Sequence, residues 1–278
     1  PWEYLKRECL RYMDNEVKNG LAYGECFIEG HKILTQNNGW VDFKDLKDDE
    51  VVATMNPLTK EFEWQQITRR VEYEYEGDII SLKSKSIDTK VTPNHKFFIQ
   101  YTYNKNKFDK VLAKDLNTAH NIPTKSIWNG IDDETVIVKN EFGEKEFNTK
   151  DFFNFLGWYI AEGWYAFNEK TGNYSVSISQ SKKENIEEIK SLIEKLGLQY
   201  SVTTNDKRKS TEYTFSISGK FLAKYFEQFG KSEDKYIPQV VKDSTTENIL
   251  IFLESYLKGD GWGLGIHKEY GTVSLKLA

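Results

Sequence analysis

Cysteine is nearly absent from this chain: 278 residues contain two, Cys9 and Cys26. Two thiols build no disulfide framework, and a reducing compartment would leave a reactive thiol free. No apolar run approaches the ~20 residues a membrane span needs, so no membrane partner is expected. The opening PWEYLKRECL lacks a signal-peptide core, which makes the cytoplasm the expected location. A basic excess is missing too: 38 Lys and Arg stand against 43 Asp and Glu, a formal net charge of −5. That argues against a generally cationic nucleic-acid coat but leaves room for a local positive stripe. What the chain does have is apolar material: 38 % of residues, with 17 Phe and 16 Tyr, enough at this length for two separate cores.

The texture changes along the chain. Residues 1–25 read as a helix, with Leu5, Cys9, Tyr12 and Met13 on one stripe and Gly20 as a stop. From Cys26 to about Pro123, short β-type runs (HKILT, GWVDF, EVVATMN, GDIISLKS) alternate with Asn-Asn-Gly, Asp-Asp and Asn-Pro punctuation, so an all-β domain is expected over 26–123. Residues 124–150 read as a connector carrying one hairpin, TVIVKNEFGEKEF. Beyond Asp151 the pattern is α+β, a helix–hairpin–helix–hairpin–helix series. The segment FLGWYIAEG (155–163) returns as LESYLKGDG (253–261), so 151–278 is an αββαββα unit and the truncated start of a second.

Cys26, Thr92 and His95 form a set suited to peptide-bond chemistry. A cysteine next to a peptide carbonyl can attack it, giving a thioester and freeing the amine. The step is uphill for a relaxed amide and needs a donor at the departing nitrogen, for which an imidazole titrating near neutrality is suited. A nearby hydroxyl can hold the bond in place. Against this stands the plain fact that a single Cys in a β-domain usually packs as a small hydrophobe.

The ordered blocks CFIEGHKILTQNNGWVDFKDL, DDEVVATMN, VTPNHKFFI and KVLAKDLNTAHNIP resemble an intein splicing domain of the Hint fold. The resemblance implies that the Glu25–Cys26 bond is scissile, that residues 1–25 are the tail of an upstream extein, and that Thr92 and His95 activate the bond without any cofactor. The chain departs from the family at its end, SLKLA, where the asparagine junction would stand. Only the thioester step is therefore expected of this chain alone. Flanking extein polypeptides are the implied partners, with the C-terminal splicing block supplied by a continuation of the chain or by a complementary fragment. His31, His120 and His267 are expected at surfaces or turns.

The second region carries a different chemistry. Cleaving a phosphodiester needs a cation to polarise the phosphate, and carboxylates are its usual hard ligands. Two carboxylates come together only if the helices bearing them approach closely, which needs small residues at the crossing. Gly157 and Ala161 on one helix, and Ser255 and Gly259 on the other, are spaced i, i+4 and would bring Glu162 and Asp260 side by side at the helix tips.

FLGWYIAEG and LESYLKGDG resemble the LAGLIDADG motifs of homing endonucleases. The resemblance implies a site-specific nuclease acting on double-stranded DNA with Mg2+ held by Glu162 and Asp260. It further implies a water-organising role for Gln180 and a basic residue near the cleavage site in Lys235. The strands would form a saddle on DNA, with Tyr174, Val176 and Ile178 facing the helices and Ser175, Ser177 and Ser179 facing the groove. Lys207, Arg208 and Lys209 at a hairpin tip are placed to meet phosphates.

The combined expectation is an intein fragment: an extein tail, the N-terminal part of an all-β Hint splicing domain and an inserted α+β LAGLIDADG endonuclease broken early in its second repeat, so that poor nuclease activity is expected of this chain alone. Two other readings stay open: a free-standing endonuclease or maturase whose β-domain is not catalytic, and a degenerate, inactive remnant.

Overall fold

A computed structural model describes residues 5–10, 30–68, 70–84, 87–207, 210–264 and 267–277. Contacts divide the chain into two compact units, Pro1–Trp128 and Asn129–Ala278.

The described part of the first unit is made of strands and two 3-10 turns. In chain order the strands are β1 (Leu5–Leu10), β2 (Lys32–Thr35), β3 (Gly39–Asp42), β4 (Val51–Met55), β5 (Phe62–Gln66) and β6 (Arg70–Tyr75). Then come β7 (Ile80–Lys83), β8 (Asp88–Val91), β9 (Lys96–Tyr101), β10 (Asn104–Leu112) and β11 (His120–Asn121). They pair as β3-β2-β4-β5, β10-β9-β11, β7-β8 and β1-β6. Alternation accounts for the strands: in β8, Thr89 and Val91 are buried while Asp88 and Lys90 are exposed.

Two small cores result, one around Phe43, Leu46, Val52 and Ile67, the other around Val91, Phe97, Ile99 and Ala113. Each is closed by the same device. The runs FKDL and AKDL follow β3 and β10 as single 3-10 turns, burying Phe43 and Ala113, and the Leu46 and Leu116 amides donate back to Phe43 O and Ala113 O.

One expectation fails here. Leu5–Leu10 is not helical but pairs in antiparallel register with β6, Cys9 opposite Val71. The partner run RVEYEY alternates as a strand, and its open edge supplies the hydrogen bonds that a local helix would have supplied itself. The rest of the proposed helix, residues 11–25, lies outside the described residues.

The second unit opens with a hairpin of β12 (Thr135–Asn140) and β13 (Gly143–Asn148). This is the hairpin expected within the connector, and its Val138 and Phe147 pack into the core of the second unit. There follow α1 (Thr149–Glu162), β14 (Gly163–Asn168), β15 (Asn173–Gln180), α2 (Lys183–Lys195), β16 (Tyr200–Lys207), β17 (Ser210–Ser218) and α3 (Lys220–Glu227). The short α4 (Gln239–Lys242), then α5 (Thr246–Asp260), β18 (Gly261–Leu264) and β19 (His267–Tyr270) complete it.

The four-stranded antiparallel sheet has order β14-β15-β17-β16. Helix α1 is apolar nearly all round and sits at the centre: Phe152, Phe153, Phe155, Leu156, Trp158, Tyr159 and Ile160 are all buried. Helix α2 shows the surface pattern instead, burying Ile186, Ile189, Leu192 and Ile193 and presenting its charged residues to solvent. Val176 and Ile178 of β15 and Phe215 and Ile217 of β17 form the sheet's contribution to the same core. No described helix is long and apolar enough to cross a membrane.

Candidate functional site: paired helix tips and a buried turn

Helices α1 and α5 start and stop by the same rules. Asn148 caps α1 by accepting from the Asp151 amide, and Thr245 caps α5 by accepting from the Asn248 amide. Each helix ends on its acid, and the next residue is a glycine in extended conformation, Gly163 at φ −98, ψ 160 and Gly261 at φ −96, ψ 158. Those glycines are required by space rather than by dihedral angle. A Cβ at Gly163 would lie 2.8 Å from Tyr159 O, and one at Gly261 would lie 2.3 Å from Leu257 O.

The crossing is as tight as the small-residue spacing predicts. A Cβ on Gly157 would fall 2.0 Å from Ser255 Oγ and 2.4 Å from Phe252 O, and one on Gly259 would fall 2.5 Å from Ala161 Cβ. Ser255 fits because its hydroxyl turns back on its own helix, donating to Phe252 O at 3.0 Å. Backbone thus lies against backbone, and the two tips arrive together: the same Cβ on Gly259 would be 3.1 Å from Glu162 Cγ.

Charge at the tips reflects this closeness. Burial pushes the Asp260 carboxyl up to about 6, with the Glu162 charge adding to the rise and Lys235 opposing it. Burial also raises Glu162, against the pull of Lys182 and Lys235 and with a further push from Glu212. Two half-buried carboxylates, each with its proton affinity raised chiefly by burial, stand at the tips. They offer hard oxygen donors, and among the described residues no group of three or more His, Cys, Asp or Glu gathers around a metal position. Such a pair fits an ion that completes its shell with phosphate and water, as Mg2+ does.

Lys235 is not a solvated lysine. It is 5 % exposed, and its Nζ donates to Tyr159 O, Ile160 O and Gly163 O at 2.9, 2.9 and 2.8 Å. Burial lowers its pKa to about 8 even though both acids favour its charge. Gln180, also buried, ends β15 and accepts from the Ser181 and Lys182 amides through Oε1. It thereby shapes the turn that carries Lys182, a cation near Glu162 that sequence reasoning missed. Lys182 Nζ and Asn185 Nδ2 reach Lys258 O, in the last turn of α5, at 3.4 and 3.5 Å. The only forewarning in sequence was its place two residues after Gln180.

On β15 the alternation holds with one shift. Val176 and Ile178 are fully buried towards the helices, whereas Tyr174 lies half-buried beside Phe167 and under the Lys220 ammonium. On the other face the hydroxyls meet across the strands: Ser177 with Ser216 at 3.0 Å and Ser179 with Thr214 at 2.6 Å, while Ser175 stands opposite Ser218. Ser177 is only 3 % exposed, so it is a rung of this ladder rather than an open groove contact. Trp164, opposite Ser177 on β14, is 46 % exposed and stands at the ladder's edge. Lys207 pairs with Ser210 at the tip of the β16–β17 hairpin, and Arg208 and Lys209 lie outside the described residues. A cavity lined by Lys150, Asp151, Asn154, Ser255 and Lys258 includes neither acid.

In the first unit, Thr92 and His95 share one tight turn. The His95 amide donates to Thr92 O at 3.0 Å, Thr92 is fully buried, and the imidazole meets the Phe97 ring edge-on at 4.7 Å. The segment after β10 fastens the turn, the Ala113 and Lys114 amides donating to His95 O and Pro93 O. Glu25 and Cys26 lie outside the described residues. His31, expected at a surface or turn, is half-buried and bonded through Nε2 to Thr89 Oγ1 at 2.7 Å, three residues before Thr92. His120 does close a turn, its Nδ1 accepting from the Asn117 amide.

A helix pair crossing at small residues, with an acid at each tip and an antiparallel sheet running on from one of them, defines a class of architecture. Consistent with it, residues 154–230 match the family model of the LAGLIDADG-like domain, so the chain contains such a domain. Curated relatives include an ATP-dependent Clp protease proteolytic subunit of Chlamydomonas moewusii, 25 % identical over 90 % of this chain and 26 % of that protein. A DNA polymerase of Methanocaldococcus jannaschii is 25 % identical over 85 % of this chain and 14 % of its own length. A ribonucleoside-diphosphate reductase subunit beta of Aquifex aeolicus is 38 % identical over 27 % of this chain and 11 % of that protein. The chain thus spans about a quarter or less of these three relatives. Among solved structures, the homing endonuclease I-WcaI bound to its DNA recognition sequence is 13 % identical, with a TM-score of 0.31 over 44 % of this chain and 55 % of that one. I-DmoI in complex with DNA and Mn is 16 % identical, with a TM-score of 0.30 over 41 % and 63 %.

Proposed function

We propose that the second unit cleaves double-stranded DNA at a specific site, with a divalent cation held between Glu162 and Asp260. The observation that carries this reading is the pair of carboxylates set at two helix tips by a backbone-to-backbone crossing, the first of them, Glu162, within the residues 154–230 that match the LAGLIDADG-like domain. A bound Mg2+ or similar ion supplies polarisation of the phosphate and a more acidic water. The chain's own residues provide the rest. The helix pair sets the separation of the carboxylates, Gln180 orders the turn that brings Lys182 near Glu162, and Lys235 places positive charge close to both acids. The half-buried Ser175 and Ser179 are the hydroxyls offered to the duplex, and Lys207, Arg208 and Lys209 are assigned to its phosphates on sequence grounds.

The first unit is read as the N-terminal part of a Hint splicing domain. The Cys26 thiol adds to the Glu25 carbonyl and the C–N bond breaks. His95 gives the proton that the leaving amine needs, and Thr92 holds the bond from the same turn. Supporting this, a protease subunit, a polymerase and a reductase share no activity by name, yet each matches this chain over a minor part of its length. A shared guest segment accounts for that pattern better than a shared host function. The chain would then be an intein with an inserted endonuclease, flanked by exteins and located in the cytoplasm.

Two assays test the two halves. Incubating the chain with a plasmid pool of randomised sites and Mg2+ should cut a specific subset, and Glu162→Gln should cut none. If the substituted and native chains cut alike, the assignment of the acids is wrong. Incubation with an exogenous thiol should release residues 1–25, more slowly with His95→Ala and not at all with Cys26→Ala. Equal release from native and Cys26→Ala chains would end the splicing reading.

A further inference from the structure

The ammonium of Lys235 has three N–H groups, and three backbone carbonyls of the α1 terminus take all of them. No donor is left for a phosphate or a water. The lysine ends α1 from outside the helix: it adds a second donor to Tyr159 O, which the Gly163 amide also reaches, supplies donors to Ile160 O and Gly163 O, and opposes the negative end of the helix dipole beside Glu162.

Its own backbone is held in turn. Ser274 is 1 % exposed, and its Oγ donates to Lys235 O at 2.6 Å. Ser274 belongs to the segment that follows β19, which is anchored at both ends: Tyr270 Oη donates to Leu277 O at 2.7 Å, and Leu277 is buried in the core of the unit. A closed circuit results. It runs from Asp260 through the β18–β19 hairpin to Ser274, across to Lys235, and from the ammonium to the last turn of α1 and Glu162.

We propose that Lys235 and Ser274 are positioning residues, a strut that fixes the Glu162 carboxylate relative to Asp260 and acts without touching the nucleic acid. The proposal rests on the reading above for the task of the acids, while the strut itself is a statement about the α1 terminus and is measured separately.

The test uses the full chain and four variants: Lys235→Met, Lys235→Arg, Ser274→Ala and Ser274→Thr. Amide hydrogen exchange over residues 161–163 reports the strut. It should accelerate about tenfold in Lys235→Met and severalfold in Ser274→Ala, and return towards native in Arg and Thr, which keep the charge and the hydroxyl. Terbium(III) titration reports the acids: affinity should fall about tenfold in Lys235→Met and less in Ser274→Ala. In Ser274→Ala, affinity for duplex DNA in EDTA should stay unchanged, which general loosening would not allow. Native exchange and native terbium affinity in a folded Ser274→Ala would overturn the role of Ser274. If that variant does not fold, the Lys235 pair decides, because equal exchange in Met and Arg variants would overturn the strut. Should Glu162→Gln with Asp260→Asn bind terbium like the native chain, the carboxylate reading fails while the exchange result still judges the strut.

Discussion

Helices α1 and α5 are built alike and used differently. Both have a side-chain N-cap, small residues at the crossing, a terminal acid and a glycine that the turn into the next strand requires. Around them the match stops. Strands β14–β17 and helices α2 and α3 surround α1, whereas α5 runs into the two-stranded β18–β19 hairpin and leaves Leu250 half-exposed. The last turn of α1 is held by a buried lysine ammonium through three carbonyls. That of α5 meets Lys182 and Asn185 at one carbonyl and at longer range. The comparison teaches that crossing geometry and the surroundings of the tips are specified separately: small residues set the first, and whatever packs outside the pair sets the second.

The sharpest way to break the equivalence is at the acids. Glu162→Gln and Asp260→Asn should each take metal-dependent cleavage to background, measured by single-turnover assay on a selected target; an uneven residue of activity would show that the tips do unequal work. Next comes the crossing. Gly157→Val places its side chain against backbone of α5, and should destabilise the unit by about 2–3 kcal/mol, seen as a fall of roughly 5–10 °C in melting temperature. Gly259→Ala meets side chains instead, Ala161 Cβ and Glu162 Cγ. It should therefore lower metal affinity more than it lowers the melting temperature.

The pH dependence sharpens the contrast further. The folded Asp260 carboxyl keeps its proton up to about 6, above its ordinary value of 3.8. Between those values the native state binds more protons than the unfolded one, so its contribution to stability is present at low pH and is lost as pH rises through 6. Asp260→Asn should remove that slope and raise the melting temperature at pH 8, while metal affinity of the native chain climbs as pH approaches 7. The smallest effect belongs to the shared feature: Asn148→Ala and Thr245→Ala should each cost about 1 kcal/mol by denaturant titration, and by similar amounts.

Much of the second unit was legible in the sequence because its signals are local. Gly157, Ala161, Ser255 and Gly259 announce a close crossing by spacing alone, and the Ile/Leu period of α2 announces a surface helix. The burial of Lys235 was not legible, since KYIP gives no sign of carbonyls brought from residues more than seventy positions away. Nor was the outer face of β15: alternation assigns Ser177 to a face but cannot say that Ser216 comes to bond it. In the first unit, turn residues marked the strands well. The N-terminal segment misled because Leu5 and Cys9 suit a helix stripe and an alternating strand equally, and the choice falls to a distant edge, β6. The bond between His31 and Thr89 is of the same kind, a contact from the residue before β2 to β8 that no spacing rule contains.

The glycines at the crossing have a consequence for how such a protein can be altered. The contact of Gly157 with Ser255 and Phe252 involves neither Glu162 nor Asp260, and the raised proton affinity of Asp260 marks it as a burden on the fold at neutral pH. Neutralising Asp260 therefore keeps, and even firms, the scaffold. The residues that set the crossing and the residues that carry its charge are thus separable by substitution.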